Sequence, residues 1–334
     1  MKAVRMSALL ALGLIAAIST TSTTYLPVAQ EPGQRLALHC VAPAHANGQS
    51  VLFVHGASFP TMLAFGFEFA PGDSWMDFMA RQGFLACGLD FLGFGASSRP
   101  AAMAGAAEGA APVTRAAEAA REIATAIDYL QRERGMGHVH LVAHSWGTIP
   151  AAAFAATHPD ALASLTLFGP VVPKPGEKAE PIHTAWWTIT AEARYQQLRF
   201  KDVLPPEQSL LEPAVAQRWA ARFDASVPHI EGDKPGDLRI PAGPAADIEA
   251  VAASGNYPYN AASIKVPVFV VYGDYDTVTN DAGAAAFLAK FTASPLRWRM
   301  RIDHGTHVMH LEHNRRSLYQ GVDAFIRVAH TVQP

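Results

Sequence analysis

Short apolar runs and longer amphipathic segments alternate along much of the chain. The apolar runs are of strand length and uninterrupted, which favours strands buried on both faces of a mostly parallel sheet. Residues 114–134 place apolar side chains at spacings of three and four, which predicts a helix that ends at Gly135. This alternation indicates a parallel sheet with helices on both faces. The predicted strands of this part cover residues 35–41, 50–54, 83–90, 138–143 and 163–168.

The alternation stops near residue 173 and returns near residue 265. The stretch between has proline-rich breaks and amphipathic helices, and no strand is predicted in it. Val215, Trp219 and Phe223 form a four-residue ladder on one predicted helix. A second apolar helix is predicted around Trp186, Trp187, Ile189 and Tyr195. After it, the pattern predicts strands over residues 266–272 and 296–302 and a closing helix over residues 317–329.

A helical segment inserted between two strands of one sheet is typical of a cap over a site. The sequence therefore predicts an α/β core formed by residues 25–172 and 265–334, with a helical cap insertion over residues 173–264.

The N-terminus has a pattern of its own. Lys2 and Arg5 precede an apolar run from Ala8 to Ile18, and small polar residues follow. This order is typical of a secretory signal peptide, which we predict over residues 1–24. The run is shorter than the roughly 20 residues that span a bilayer. We therefore expect an exported protein, periplasmic or secreted, without stable membrane insertion.

Composition narrows the classes of partner. Half of the 334 residues are apolar, 16% are charged, and the net charge is −3. The basic residues are scattered, so the chain lacks the basic stripe of a nucleic-acid-binding protein. The two cysteines, Cys40 and Cys87, either form a disulfide in an oxidising compartment or remain as two buried thiols.

The strongest chemical signal is Ala143-His144-Ser145-Trp146-Gly147, between a predicted strand and a predicted helix. A serine on such a tight turn exposes its hydroxyl as a nucleophile, although Ala143 replaces the usual first glycine. The competing interpretation is that Ser145 only caps the following helix. An acyl transfer also needs two N–H donors for its oxyanion, and we assign them to the amides of Trp146 and Ala57.

A carboxylate and a histidine must complete a serine nucleophile. Asp274 and Asp276 follow the strand that ends near Tyr272, and either could be the acid. His304, His307, His310 and His313 follow the last strand at regular intervals. We expect one of them to be the general base, and His310 and His313 to be partly solvated on a helix face. No thiolate or carboxylate set accompanies the histidines, so a metal site is not favoured.

From about residue 35 onward, the chain resembles the α/β-hydrolase family. The resemblance implies that Asp276 is the acid, three residues after the glycine that ends its strand. It also implies that His307 is the base, because the family's histidine begins an H-x-x-x-x-E stretch. Thr306 stands where the family usually has glycine, which keeps His304 as a competitor. The family's strand arrangement also favours a Cys40–Cys87 disulfide. The motifs are Val54-His55-Gly56, residues 90–100, Ser145-Trp146-Gly147, residues 273–276, and His307 with Glu312.

These residues predict a serine hydrolase that acts on a small to medium apolar or aromatic carboxylic ester, without a cofactor. Trp186, Trp187 and Trp219 are the candidate substrate-binding residues. The first alternative is an amidase that resembles prolyl iminopeptidases, in which Glu192 would bind an N-terminal ammonium group. The second is a non-catalytic binding protein on the same fold. A serine nucleophile argues against haloalkane dehalogenase and epoxide hydrolase activity, which use aspartate there.

Overall fold

A computed structural model describes residues 21–137, 139–174, 176, 178–198, 210–226, 230, 233–234 and 236–332. Eight strands form one sheet in the order β1-β2-β4-β3-β5-β6-β9-β10. Strands β4, β3, β5, β6, β9 and β10 run parallel, whereas β1 and β2 pair antiparallel with their neighbours. The strands are β1 (Thr21–Pro27), β2 (Arg35–Val41), β3 (Ser50–Val54), β4 (Leu85–Asp90), β5 (Val139–His144), β6 (Leu162–Phe168), β9 (Val268–Gly273) and β10 (Arg297–Ile302).

The central strands are buried along their whole length because helices pack on both faces of the sheet. Helix α2 begins with a capping box between Ser74 and Asp77. Helix α3 turns Ile123 and Ile127 inward, as its apolar stripe predicts. The core helices are α1 (Thr61–Ala64), α2 (Trp75–Arg81), α3 (Ala116–Arg132), α4 (Thr148–Thr157), α8 (Asp281–Ala289) and α9 (Arg315–Thr331). None of the described helices is long and apolar enough to cross a membrane.

Strand β1 was not predicted. All seven of its residues pair with β2, so the sheet begins at Thr21, inside the segment 1–24 that the sequence assigns to a signal peptide. The strand lies at the edge of the sheet and buries only Leu26, which explains why it lacks an apolar pattern. Residues 1–20 lie outside the described residues, so the signal peptide stays a prediction.

The segment inserted between β6 and β9 contains helices and a short antiparallel pair of strands. The pair is β7 (Trp186–Ile189) and β8 (Leu238–Pro241), and the prediction of a helix around Trp186 and Trp187 was wrong. Four residues are too few for periodicity to distinguish a strand from a helix. The predicted helix around Trp219 is confirmed. The inserted helices are α5 (Ala191–Leu198), α6 (Pro213–Asp224) and α7 (Gly243–Ser254).

A disulfide joins Cys40 on β2 to Cys87 on β4. The two residues are direct partners across this antiparallel pair, with their Cα atoms 4.1 Å apart. The bond closes a loop with a sequence separation of 47. On the chain-entropy model such a loop stabilises the folded state by about 4 kcal/mol. The disulfide alternative for the two cysteines is therefore the observed one.

Candidate active site

Ser145 occupies a strained turn between β5 and α4. Its φ is +56°, a left-handed value that costs energy for a residue with a side chain. The turn packs closely on the loop after β3. A Cβ atom on Gly147 would lie 2.3 Å from the carbonyl oxygen of His55, and one on Gly56 would lie 3.0 Å from the Cβ of Ser145. The position of Gly147 therefore requires glycine, and a side chain at Gly56 would press on Ser145. Ala143 stands where the family usually has glycine, and its side chain is fully buried there.

His307 and Asp276 lie beside Ser145 in a continuous hydrogen-bonded chain. The Nε2 atom of His307 is 2.7 Å from the hydroxyl of Ser145. The Nδ1 atom is 3.0 and 3.1 Å from the two carboxylate oxygens of Asp276. If Nδ1 carries the proton and donates it to the carboxylate, Nε2 is left as the acceptor for the serine hydroxyl. All three side chains are buried, with residue exposures of 6 to 8%.

Asp276 is itself held by backbone donors. Its Oδ1 atom accepts hydrogen bonds from the amides of Val278 at 2.8 Å and Thr279 at 3.0 Å. The carboxylate therefore has one orientation, directed at the imidazole ring of His307. It is a buried acceptor with hydrogen-bond partners on both oxygens.

Asp274 and His304, the competing candidates, lie elsewhere in the same loops. Asp274 is exposed and accepts the amide of Gly305 at 3.1 Å, so it closes the turn. His304 is also exposed, with a φ of +58°, and its ring centroid is 6.4 Å from that of Tyr275. The structure thus brings Ser145 together with His307 and Asp276, and not with these two neighbours.

Sequence reasoning missed Gly169, which follows β6. Its φ is +55°, and a Cβ atom there would lie 2.9 Å from Nδ1 of His307 and 3.1 Å from Oδ2 of Asp276. The only signal in the sequence is a Gly-Pro pair directly after a predicted strand. A glycine at this point lets the backbone approach the histidine–carboxylate pair closely.

The loop after β3 presents Ala57 beside the turn of Ser145. His55 fixes this loop, because its Nδ1 donates to the carbonyl of Gly56 at 2.8 Å and its Nε2 accepts the amide of Phe91 at 3.2 Å. Burial lowers the pKa of His55, which favours this neutral form. The amide of Ala57 has no hydrogen-bond acceptor among the described residues. It is therefore free to bind a ligand oxygen.

A buried carboxyl group supports the loop that carries His307. Glu312 accepts hydrogen bonds from the amide of Thr306, at 2.9 Å, and from its hydroxyl. The same hydroxyl oxygen accepts the amide of Val308 at 3.2 Å. Burial raises the pKa of Glu312 to about 7; the bonds from Thr306 oppose the rise, whereas the nearby Asp276 adds to it. Thr306 is the departure from the family pattern, and the structure gives it a role in holding this loop.

His310 is buried, contrary to the prediction of a partly solvated helix face. It lies in the short turn Met309–Leu311, which directs its ring toward Phe168 and His144. Burial lowers the pKa of His310 to about 3 and that of His144 well below its usual value. His144 also bonds through Nε2 to the carbonyl oxygen of His307, at 2.8 Å. His313 is exposed, as expected, but it lies in the turn before α9 and not on a helix face.

Within the described residues, the three candidate substrate-binding tryptophans form no hydrogen bond or ring contact with Ser145, Asp276 or His307. Trp219 is buried, donates its indole N–H to the carbonyl of Leu63 at 2.9 Å, and meets the ring of Phe59 edge-on. Trp186 stacks on Arg239, with the guanidinium 3.9 Å from its ring centroid. Trp187 packs half-buried against the core, and Glu192 is exposed on α5.

A large cavity, of about 920 Å³, lies beside α1 rather than at Ser145. Its lining includes Leu63, the buried pair of His39 and Asp90, and Arg222 of α6. Ser145 and His307 are not among its lining residues, so this cavity does not mark the serine site. Among the described residues, no group of three or more histidine, cysteine or acidic side chains could hold a metal ion.

Residues 49–314 match the family model of the alpha/beta hydrolase fold. That is most of the chain, which therefore belongs to the α/β-hydrolase family. No curated protein sequence matches the chain.

Several solved structures share this fold. An esterase from Exiguobacterium antarcticum aligns with a TM-score of 0.61 and 14% identity, over 92% of this chain and 100% of its own. A thermophilic esterase from Thermogutta terrifontis aligns with a TM-score of 0.58 and 19% identity, over 92% of this chain and 99% of its own. A serine hydrolase involved in carbazole degradation aligns with a TM-score of 0.61 and 15% identity, over 92% of this chain and 100% of its own. At these identities the similarity establishes the fold.

Proposed function

We propose that this chain is a serine-dependent carboxylic ester hydrolase. Ser145 is the nucleophile, His307 is the base, and Asp276 is the carboxylate that orients His307. The observation that carries the proposal is the bonding of His307, with Nε2 2.7 Å from the hydroxyl of Ser145 and Nδ1 on the carboxylate of Asp276. A serine hydroxyl needs a neighbouring base to become a nucleophile, and the base needs a group that fixes its tautomer.

In the first half of the reaction, His307 takes the hydroxyl proton of Ser145 as the oxygen attacks the ester carbonyl. The carbonyl oxygen becomes an oxyanion, which the amides of Ala57 and Trp146 bind. The tetrahedral intermediate then expels the alkoxide, which leaves as the alcohol with the proton from His307. An acyl group remains bonded to Ser145.

In the second half, His307 takes a proton from water while the water oxygen attacks the acyl carbonyl. Collapse of this second intermediate returns the proton to Ser145 and releases the carboxylic acid. Asp276 stabilises the imidazolium in both halves. The cycle uses only water as a second reactant and requires no cofactor.

The surroundings of the site support the proposed substrate class. The rings of Phe59 and Phe168 lie against His144, next to the nucleophile, and the ring of Trp219 lies behind Phe59. An apolar environment suits a small to medium apolar or aromatic ester. Two of the proteins that share this fold are esterases, which supports ester over amide cleavage.

We also propose that the protein is exported. The N-terminal charge and hydropathy pattern supports this, and so does the Cys40–Cys87 disulfide, since such bonds persist in oxidising compartments. Fractionation of cells that express the full chain should recover it, shortened at the N-terminus, outside the cytoplasm. Full-length protein in the cytoplasm alone would contradict export.

Parallel assays with p-nitrophenyl esters and proline arylamides test the reaction class. We expect turnover of short or aromatic esters by the wild type and a loss of about 10⁶ in kcat for Ser145→Ala. Ser263→Ala is the matched control and should keep full activity, because the Ser263 hydroxyl bonds to the carbonyls of Ala156 and Asn260, and Ala156 lies at the end of α4 that is remote from Ser145. Turnover confined to the arylamides would favour the amidase instead.

A further inference from the structure

Asp247 belongs to the inserted segment, yet its carboxylate bonds to the core. It lies on α7 and is 6% exposed. Its Oδ2 atom accepts the indole N–H of Trp146 at 3.0 Å and the amide of Ala116 at 2.7 Å. Its Oδ1 atom accepts the guanidinium Nε of Arg115 at 2.6 Å. Three donors from two core elements thus meet on one acidic side chain of the insertion.

The bond to Trp146 matters because this residue follows Ser145 directly. Its amide is the proposed second donor to the oxyanion, and its indole ring is fully buried. Phe91 meets that ring edge-on, with centroids 5.3 Å apart. Because the turn at Ser145 has a strained backbone, its conformation must be imposed by the surrounding contacts. The indole and its acceptor are one such contact.

The junction between α7 and the core is close-packed. The amide of Gly243, at the start of α7, donates to the carbonyl of Val113 at 2.9 Å. A Cβ atom on Gly243 would lie 2.3 Å from that same oxygen. Ala116 is the first residue of α3, so the carboxylate of Asp247 also lies at the positive end of that helix. Asp247 is consequently held at a fixed distance from the nucleophile turn.

We propose that Asp247 is a positioning residue that fixes Trp146 and thereby aims its amide at the oxyanion. This couples the inserted segment to the chemical step, and it rests on the proposed ester hydrolysis. If Asp247 acts in this way, its loss weakens binding of the tetrahedral intermediate more than binding of the ester substrate. A structural bond alone would lower stability without that selectivity.

The test compares Asp247→Asn with Trp146→Phe and the double variant. Trp146→Phe removes the indole N–H but leaves Asp247 bonded to Arg115 and Ala116. Asp233→Asn is the matched control, because Asp233 lies in the same inserted segment and pairs with Arg239 at 2.6 and 2.7 Å without contacting the turn. For each variant, kcat, KM and the Kd of an ester-analogue trifluoromethyl ketone are measured, since that ketone forms a tetrahedral oxyanion on the serine.

We expect Asp247→Asn to lower kcat about 10- to 100-fold, on the scale of a misplaced catalytic group. Ketone affinity should fall by a similar factor, with KM nearly unchanged. Trp146→Phe should act in the same direction, and the double variant should be no worse than the larger single effect. Asp233→Asn should keep the wild-type kcat and ketone affinity.

A kcat and ketone affinity within about twofold of wild type in folded Asp247→Asn would overturn the proposal. A change in KM alone would also overturn it. If Asp247→Asn does not fold, wild-type kinetics in Trp146→Phe would be decisive against it. A wild-type enzyme that forms no ketone adduct and cleaves no ester would overturn the proposed function itself, which separates the two failures.

Discussion

The carboxyl ends of the strands around Ser145 and the inserted segment are built in different ways. At the carboxyl ends of these strands, the loops after β5, β6, β9 and β10 meet at hydrogen-bond distance. Gly169 allows the backbone to approach His307. The inserted segment contacts the core near this region through the side chains of Trp219, which bonds to Leu63, and Asp247, which bonds to Trp146, and through a backbone bond from Gly243 to Val113. The loops of the sheet therefore fix Ser145, His307 and Asp276 relative to one another, and the insertion contacts the residues around them.

This contrast predicts that loss of His307 or Asp276 costs far more activity than any single change in the insertion. His307→Ala should lower kcat by about 10⁶ and Asp276→Asn by about 10⁴, the scales known for serine-protease triads. The neighbouring variants His304→Ala and Asp274→Asn are the controls, and they should stay close to wild type in the same ester assay. The reverse ranking would assign the base and the acid to the other residues.

Gly169→Ala tests the close approach of the backbone to the acid–base pair. The added methyl group would meet Nδ1 of His307 at 2.9 Å and must displace it. We expect kcat to fall by up to about 10²-fold, the cost of misplacing a catalytic group by about 1 Å. Gly135→Ala has a similarly positive φ, of +66°, with nothing within 4 Å of the new Cβ, so it carries the backbone strain alone. Equal kinetics for the two variants would refute the steric argument.

Glu312→Gln tests whether Glu312 supports the loop that carries His307 and whether it makes stability depend on pH. The pKa of Glu312 is raised from its usual value near 4.5 to about 7, so the folded state binds more protons than the unfolded state between these values. The contribution of Glu312 to the free energy of unfolding should therefore fall as pH rises from about 4.5 to 7, and level off above that.

Urea unfolding at several pH values measures this effect. The glutamine variant lacks the titration, so its free energy of unfolding should decline less over the same window. We also expect kcat to fall several-fold, because an amide cannot accept both bonds from Thr306. Identical pH profiles for the two proteins would show that Glu312 does not titrate in this range.

Trp219→Phe should have the smallest effect on activity. It keeps an aromatic ring against Phe59 but removes the donor to the carbonyl of Leu63. We expect a loss of about 1 kcal/mol in the free energy of unfolding, with kcat near the wild-type value. A loss of kcat comparable to that of Gly169→Ala would mean that the insertion carries part of the chemistry through this residue.

The same contrast explains which features the sequence could predict. Strands β3, β5, β6 and β9 are buried on both faces, so their apolar runs are visible in the sequence. Strand β1 lies at an edge with polar residues exposed, and β7 has four residues, so neither has a diagnostic period. Glycine and polar motifs at the strand ends pointed to Ser145, Asp276 and His307.

Other roles depend on three-dimensional neighbours that no local pattern encodes. Gly169 matters because His307 lies against it, and Asp247 because Trp146, about a hundred positions earlier, donates to it. His310 is buried because its short turn faces inward, whereas its spacing from the neighbouring histidines suggested a helix surface. Such contacts between distant segments had to come from the structure.

The most direct test of the central claim is the site of covalent labelling by a fluorophosphonate, located by peptide mass spectrometry. We expect one phosphonyl group per chain, on the peptide that contains Ser145, and none there in Ser145→Ala. Labelling should be far slower in His307→Ala, because the hydroxyl then lacks its base. A folded wild-type protein that stays unlabelled, or that carries the group on another residue, would contradict the assignment of Ser145 as the nucleophile.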